Sequence, residues 1–447
     1  MKNSLALNGS DQLMRGFDYE LRRRGFAGNQ CQIILELAAR ISPDVLQNRL
    51  DALQKEFPII NARVGGLFKP RWKIPSRVKQ EISVRVHHAD GGSADSLVRE
   101  SQNNLEIKHA DKAVRAPLLQ KLFNEPLRTR RGELMRFDLV ERDGARMDLI
   151  FTWAHTLMDA TAAEHFLAAV SDEKIVRPKT NPPPPGAPTK WPERLELMKK
   201  SVEQLDKFCE QQPRALKTRH ASAPRALSYR VEKFSTEETA RVRANGSRLC
   251  GVLGGAQFHA VAAVLELHHL HQKLGAATKS YILPMPVGLR PKGRIEPLFS
   301  NQVDMLMLQF LPEQLDTIEK TVAALKAQTA QALRENSLGY GRKLSEMFSF
   351  LPLPVFMLVL KHGMKGEICS LFFGDTAAVN PKLENFMGVA VENFTHVAAV
   401  TPSPGLGVIF YYFRGELRVT VAHARTVLND AEAAEFAAAL RQRLLNP

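Results

Sequence analysis

Apolar residues along this chain recur at two periods, and the two periods separate helices from strands. Leu46, Leu50, Leu53 and Phe57 keep helical spacing behind Ser42-Pro43-Asp44. There a serine cap, a proline at the first helical position and an acid in the first turn all favour a helix start. Residues 59–64 and 82–86 read as short strands, and a polar helical stretch covers roughly 93–106. Two apolar runs, 134–140 and 147–154, flank the turn signal Arg142-Asp143-Gly144 and predict a hairpin. Alternation along the second run places Leu149, Phe151, Trp153 and His155 on one face. Beyond it, Thr161 and Glu164 form a T-x-x-E capping-box pattern, and Ala163, Phe166, Leu167 and Val170 continue at helical spacing. His155 and Asp159 therefore fall on a strand-to-helix connection, where side chains project from a rigid scaffold.

The run Asn181-Pro182-Pro183-Pro184-Pro185-Gly186 is neither helix nor central strand and marks a linker. Mixed character then resumes. An amphipathic helix over 254–274 stops at Gly275, an alternating strand covers 280–289, and a long helix covers 312–336. Residues 406–413 and 416–423 form a hairpin around Arg414-Gly415, and Asn429 caps a final helix that ends near Leu445. Each half supplies strands with helices to pack on them, so the expected architecture is two α/β lobes. Residues 1–180 would form the N-terminal lobe carrying the His155 turn, 181–225 the linker and 226–447 the C-terminal lobe.

Composition narrows the partners. With 44% hydrophobic and 24% charged residues the 447-residue chain is globular, and 61 basic against 47 acidic residues leave a net charge of +14. Such an excess suits nucleic acid, an acidic lipid surface or a phosphate-bearing small substrate. The densest basic clusters, Arg22-Arg23-Arg24 and Arg128, Arg130 and Arg131, lack interleaved stacking aromatics, which argues against nucleic acid. Four scattered cysteines without a C-x-x-C pair point to a reducing, cytoplasmic setting with neither disulfides nor zinc. The N-terminus shows no apolar export signal. The most apolar run, 347–360, is broken by Pro352 and Pro354 and falls short of the ~20 residues that cross a bilayer. Core packing is expected for it, with peripheral membrane contact as the alternative. His87-His88 and the set His268, His269 and His271 suggest metal only superficially; the second set lies on a helix without an acid or cysteine at ligand spacing, so a solvated helix face is expected there. Phe348, Phe350, Phe356, Phe372 and Phe373 read as core, and Ser300 has no G-x-S-x-G elbow.

The chemistry concentrates in one constellation. Asn124-Glu125-Pro126-Leu127 lies upstream, the strand Phe151-Thr152-Trp153-Ala154 runs into His155-Thr156-Leu157-Met158-Asp159-Ala160, and far downstream come Pro286-Val287-Gly288-Leu289-Arg290-Pro291 and Ser300-Asn301. In this order and spacing the set resembles the superfamily of CoA-dependent acyltransferases. That superfamily includes chloramphenicol acetyltransferase, peptide-synthetase condensation domains, the plant BAHD enzymes and the wax ester synthase/diacylglycerol acyltransferases. The resemblance spans nearly the whole chain and is sharpest at the His-x-x-x-Asp turn and the L-R-P strand.

The resemblance implies a fold of two chloramphenicol acetyltransferase-like lobes in a V with a central tunnel. It implies transfer of an acyl group from acyl-CoA or an acyl carrier protein thioester to an alcohol or amine, without cofactor, metal or covalent acyl-enzyme. His155 would be the general base, Asp159 and Arg290 an ion pair supporting the turn, and Trp153 and Asn301 tunnel-lining or supporting residues. Two positions depart from the family's H-H-x-x-x-D-G pattern: Ala154 replaces the first histidine and Ala160 the glycine. If residue 160 needed positive φ, alanine would cost roughly 1 kcal/mol there. A module that binds a carrier protein or lipid without turnover is the alternative these departures raise.

Overall fold

The protein is described by a computed structural model covering residues 4–66, 70–76, 82–87, 112–142, 145–172, 190–252, 254–276, 278–291, 294–335, 340–363 and 367–447. The expected helix over 93–106, the tip of the 142–144 turn and the proline run at 182–186 lie outside these residues.

The first half contributes strands β1 (Ser4–Ala6), β2 (Gln30–Leu37), β3 (Arg63–Gly65), β4 (Arg71–Lys73), β5 (Val84–His87), β6 (Met135–Glu141) and β7 (Met147–Ala154). The second contributes β8 (Leu227–Lys233), β9 (Tyr281–Gly288), β10 (Val303–Phe310) and β11 (Phe372–Ala378). It continues with β12 (Asn385–Phe386), β13 (Val389–Ala398), β14 (Leu406–Phe413) and β15 (Glu416–Ala424). The largest sheet runs β12-β13-β2-β7-β6-β5, and a second runs β11-β14-β15-β8, with β9 and β10 paired as a ribbon. Two of the strands in the first sheet thus come from the far end of the chain: β13 lies antiparallel to β2, with His396 opposite Ile33 and Ala398 opposite Cys31. The sheets do not divide where the chain does.

Helices cover these sheets where the apolar spacing requires. Helix α1 (Gly9–Arg23) opens with a capping box between Asn8 and Asp11. Helix α2 (Pro43–Glu56) is capped by Ser42 and buries Leu46, Leu50 and Leu53. Helix α3 (Lys112–Phe123) precedes β6, and α4 (Ala160–Ser171) follows β7. One continuous core gathers Phe137, Phe151, Trp153 and Phe166 from the first half with Phe299, Phe386, Phe394 and Tyr411 from the second. The other core sits between the second sheet and the helices α6 (Thr236–Cys250), α7 (Gly255–Lys273), α8 (Ile318–Arg334) and α11 (Asp430–Leu445).

Several expectations need correcting. The stretch at 190–225, expected as linker, contains the helix α5 (Trp191–Glu210), which buries Leu197, Ser201 and Cys209. Residues 58–61 form a 3-10 turn rather than strand, because Pro58 follows directly on the end of α2. His268 and His271 are buried rather than solvated: His268 hydrogen-bonds the Tyr281 hydroxyl at 2.9 Å, and His271 bonds the Ala276 carbonyl at 3.0 Å. The apolar run near 350 is only partly core. Phe356 and Met357 are buried, but Phe350, just beyond α9 (Tyr340–Met347), and, on α10 (Leu353–Gly363), Val355, Leu358 and Val359 face solvent, because the two prolines break the run into a short turn and a short helix. Among the described residues no single helix is long and apolar enough to cross a membrane.

Candidate active site

The His-x-x-x-Asp turn is fixed from several sides. At the end of β7 the His155 amide donates to the Asn29 carbonyl at 3.0 Å, and the Leu157 amide closes the turn on the Ala154 carbonyl at 2.9 Å. Trp153, fully buried beneath it, donates its indole N–H to the Met158 carbonyl at 3.1 Å. The side chain two residues before the histidine thus braces the turn from the core, which is what a buried indole needs its N–H for.

Asp159 is the N-cap of α4, accepting from the Ala162 amide at 3.0 Å. The T-x-x-E pattern one turn later does not cap the helix; Glu164 instead accepts from the Asn380 amide at 2.9 Å, and burial raises its pKa to about 8. The cap residue also explains how Ala160 is tolerated. As the first residue of α4 it lies outside the positive-φ positions of the chain, so no glycine is required there.

Both Asp159 oxygens accept from Arg290, at 2.9 and 2.6 Å, and Oδ2 accepts from the Gln302 amide at 2.8 Å. Arg290, just beyond β9, is held in turn by the carbonyls of Ile295 at 3.1 Å and Ser300 at 3.2 Å. The pair joins the His155 turn to the β9–β10 ribbon across 131 residues of sequence. It is buried and charge-assisted, with every carboxylate bond going to groups other than the imidazole.

Asn301 sits on the opposite side of the turn. Its Nδ2 donates to the His155 carbonyl at 2.9 Å and to Asp11 at 2.9 Å, while its amide donates to the same Asp11 oxygen at 2.8 Å. Asn8 Nδ2 adds bonds to Ser300 Oγ at 2.8 Å and to the Asn301 carbonyl at 3.0 Å. Burial pushes the Asp11 carboxyl up to about 7 against these donors. Sequence reasoning missed Asp11 and Asn8. Their N-cap spacing was visible, but it announces only a helix start, not what that helix docks against. Asn124 and Glu125 lie further off, where Glu125 pairs with Arg85 at 2.6 Å and Asn124 accepts from the Leu227 amide at 2.8 Å.

What remains is the imidazole itself. His155 keeps some exposure as a residue, but its Nδ1 is buried without a hydrogen bond of ordinary geometry. Burial lowers its pKa below 6.5; its own carbonyl, the Asp159 charge, Asn301 and the Met158 carbonyl offset part of that. The ring is therefore neutral at neutral pH, a proton acceptor poised beside two rigid supports. A second imidazole, His396 of β13, stacks near Trp153 and has no partner for either nitrogen among the described residues. Leaving such a group unpaired costs about 1–3 kcal/mol. Nothing in the local sequence marked it, since it reaches the site only through strand pairing.

No family model matches the sequence, and no curated protein matches it. Solved structures do match over nearly its full length. The first condensation domain of the calcium-dependent antibiotic synthetase, in complex with a substrate analogue, is similar with a TM-score of 0.68 at 12% identity, covering 99% of this chain and 97% of that one. The trichothecene 15-O-acetyltransferase of Fusarium sporotrichioides gives 0.66 at 12% identity over 99% and 95%. The epimerization domain from the third module of tyrocidine synthetase B gives 0.60 at 11% over 99% and 95%. The chain has the two-lobed fold of condensation domains and this acetyltransferase, with mixed helices and sheets in both halves.

Proposed function

From the premise of a condensation-type acyltransferase fold, we propose that this protein transfers an acyl group from a CoA or carrier-protein thioester to an alcohol or amine, with His155 as general base. The observation that carries the reading is the partnering of Asp159. With its carboxylate committed to Arg290, Gln302 and the α4 cap, it shapes the turn and makes no bond to the imidazole, which is neutral. His155 takes the proton from the acceptor O–H or N–H as the oxygen or nitrogen attacks the thioester carbonyl. The tetrahedral adduct then collapses, the C–S bond breaks, and the thiolate leaves with that proton. Asp159, Arg290, Asn301 and Trp153 are positioning residues in this scheme. The net charge of +14 suits the phosphates of CoA or an acidic carrier. Because Ala160 is unstrained, that departure from the family pattern gives no support to a non-catalytic module.

The test is thiol release from a panel of acyl-CoA and acyl-carrier donors with alcohol and amine acceptors. Turnover should fall by ~10²–10⁴-fold in His155→Ala at unchanged melting temperature. Undiminished turnover in that variant would sink the mechanism, and tight thioester binding without turnover in the unaltered chain would favour the binding module.

A further inference from the structure

The outer face of α10 is apolar without interruption. Pro354, Val355, Leu358 and Val359 keep helical spacing and stand exposed on one side, Leu358 at 67%, with Phe350 at 46% just ahead of them. The other side buries Phe356 and Met357, and Gly16 of α1, lacking a side chain, leaves room for Met357. Helix α10 is thus held on α1 by one face and offers the other to solvent. Beside it, α5 exposes Trp191, Leu195 and Val202 along one stripe. Exposed apolar side chains gathered in this way mark a surface that another body covers.

Charge says which body. From Phe348 to Gly366 the sequence holds no acidic residue, and Lys361 and Lys365 stand near its end. Lys361 converges with Arg23 and Arg24 on the single carboxylate of Glu20. Three cations against one anion leave an excess of positive charge beside the apolar face. The neighbouring charges do not remove it: Arg22 pairs with Asp18 at 2.9 Å, and Arg225, on the Arg24 carbonyl, is matched by Glu367, on Ser403. Hydrocarbon flanked by anionic phosphate suits such a surface. The exposed side chains of α10 named above carry no polar group with which a protein partner could pair. At 11 residues α10 is too short to cross a bilayer and would lie along its surface.

We propose that α10 docks this protein on a membrane surface of acidic lipid. Val355, Leu358 and Val359 enter the acyl region, and Arg23, Arg24 and Lys361 meet the headgroup phosphates. The inference goes beyond the acyltransferase reading and does not depend on it.

The experiment is co-sedimentation of the full chain with vesicles of phosphatidylcholine alone and with about 30% phosphatidylglycerol. Binding should be at least about tenfold tighter to the acidic vesicles and should fall as salt is raised. Leu358→Glu should weaken it about tenfold or more, and the double variant Arg23→Gln with Arg24→Gln by a similar factor. Val252→Glu, an equally exposed apolar position between α6 and α7, should change it by less than twofold. All these side chains face solvent, so melting temperatures should hold; Leu358→Ser repeats the comparison if glutamate unfolds the chain. Failure to bind acidic vesicles, equal binding to neutral ones, or undiminished binding in the folded Leu358 variants overturns the proposal. So does self-association in the absence of lipid that Leu358→Glu abolishes, since a second copy would then be the occupant.

Discussion

Histidine meets aspartate in two regions of this molecule, and the regions are opposites. His155 and Asp159 are four residues apart, yet the carboxylate turns to Arg290 and makes no bond to the imidazole. His259 of α7 and Asp375 of β11 are 116 residues apart and bond directly at 2.7 Å. The His259 ring also stacks on Phe410 at 4.4 Å and 5°, with the Tyr412 hydroxyl 3.5 Å from its other nitrogen. By a triad-seeking eye the second pair is the catalytic one. The proposed base is the other one: the His259 ring is 2% exposed as a side chain and packed on Phe410 with the Tyr412 hydroxyl over its far nitrogen, whereas His155 keeps some exposure at the end of β7. Proximity in sequence shows neither contact nor its absence.

The comparison breaks most visibly through kinetics. His155→Ala should cost ~10²–10⁴-fold in thiol release, while His259→Ala stays within a few-fold. Equal losses would erase the distinction. Profiling kcat/KM against pH sharpens it, because a base whose pKa lies below 6.5 stays deprotonated as the medium acidifies. The acid limb should therefore fall below pH 6.5 and not above it. Next comes stability. Arg290→Ala leaves the buried Asp159 charge uncompensated and should lower unfolding free energy by ~3–5 kcal/mol in denaturant titration. His259→Ala, which unpairs Asp375, should cost about 1–3 kcal/mol by the same measurement. Smallest is Ala160→Gly. Restoring the family's glycine at a helical position should destabilise by ~0.5–1 kcal/mol, where a gain would mean that the turn does want glycine.

Much of this site was legible because its signals are local. The alternation ending at His155, the Ser42 and Asn429 caps and the Arg414-Gly415 turn each fix backbone within a few residues. In that turn both central residues have positive φ, 51° and 79°, as a two-residue hairpin requires. The Arg290 partner came from the resemblance rather than from periodicity. What stayed hidden depends on tertiary placement. Thr161 and Glu164 match a capping pattern that Asp159 pre-empts, and His268 and His271, expected on a solvated face, pack against Tyr281. Asp11 and His396 reach the turn only because one helix docks and one strand pairs, and no window along the chain contains both partners.

The pairing of β2 with β13 has a consequence for how the chain is made. Asn393 bonds Glu36 across 357 residues, so on the ribosome the β2 edge emerges long before its neighbour exists. Until then a row of bare amides and carbonyls stands ready to pair with the wrong strand, on the same chain or another. Synthesis of this protein should accordingly depend on chaperones that shield that edge, and a pause in translation before β13 should be more harmful than one after it.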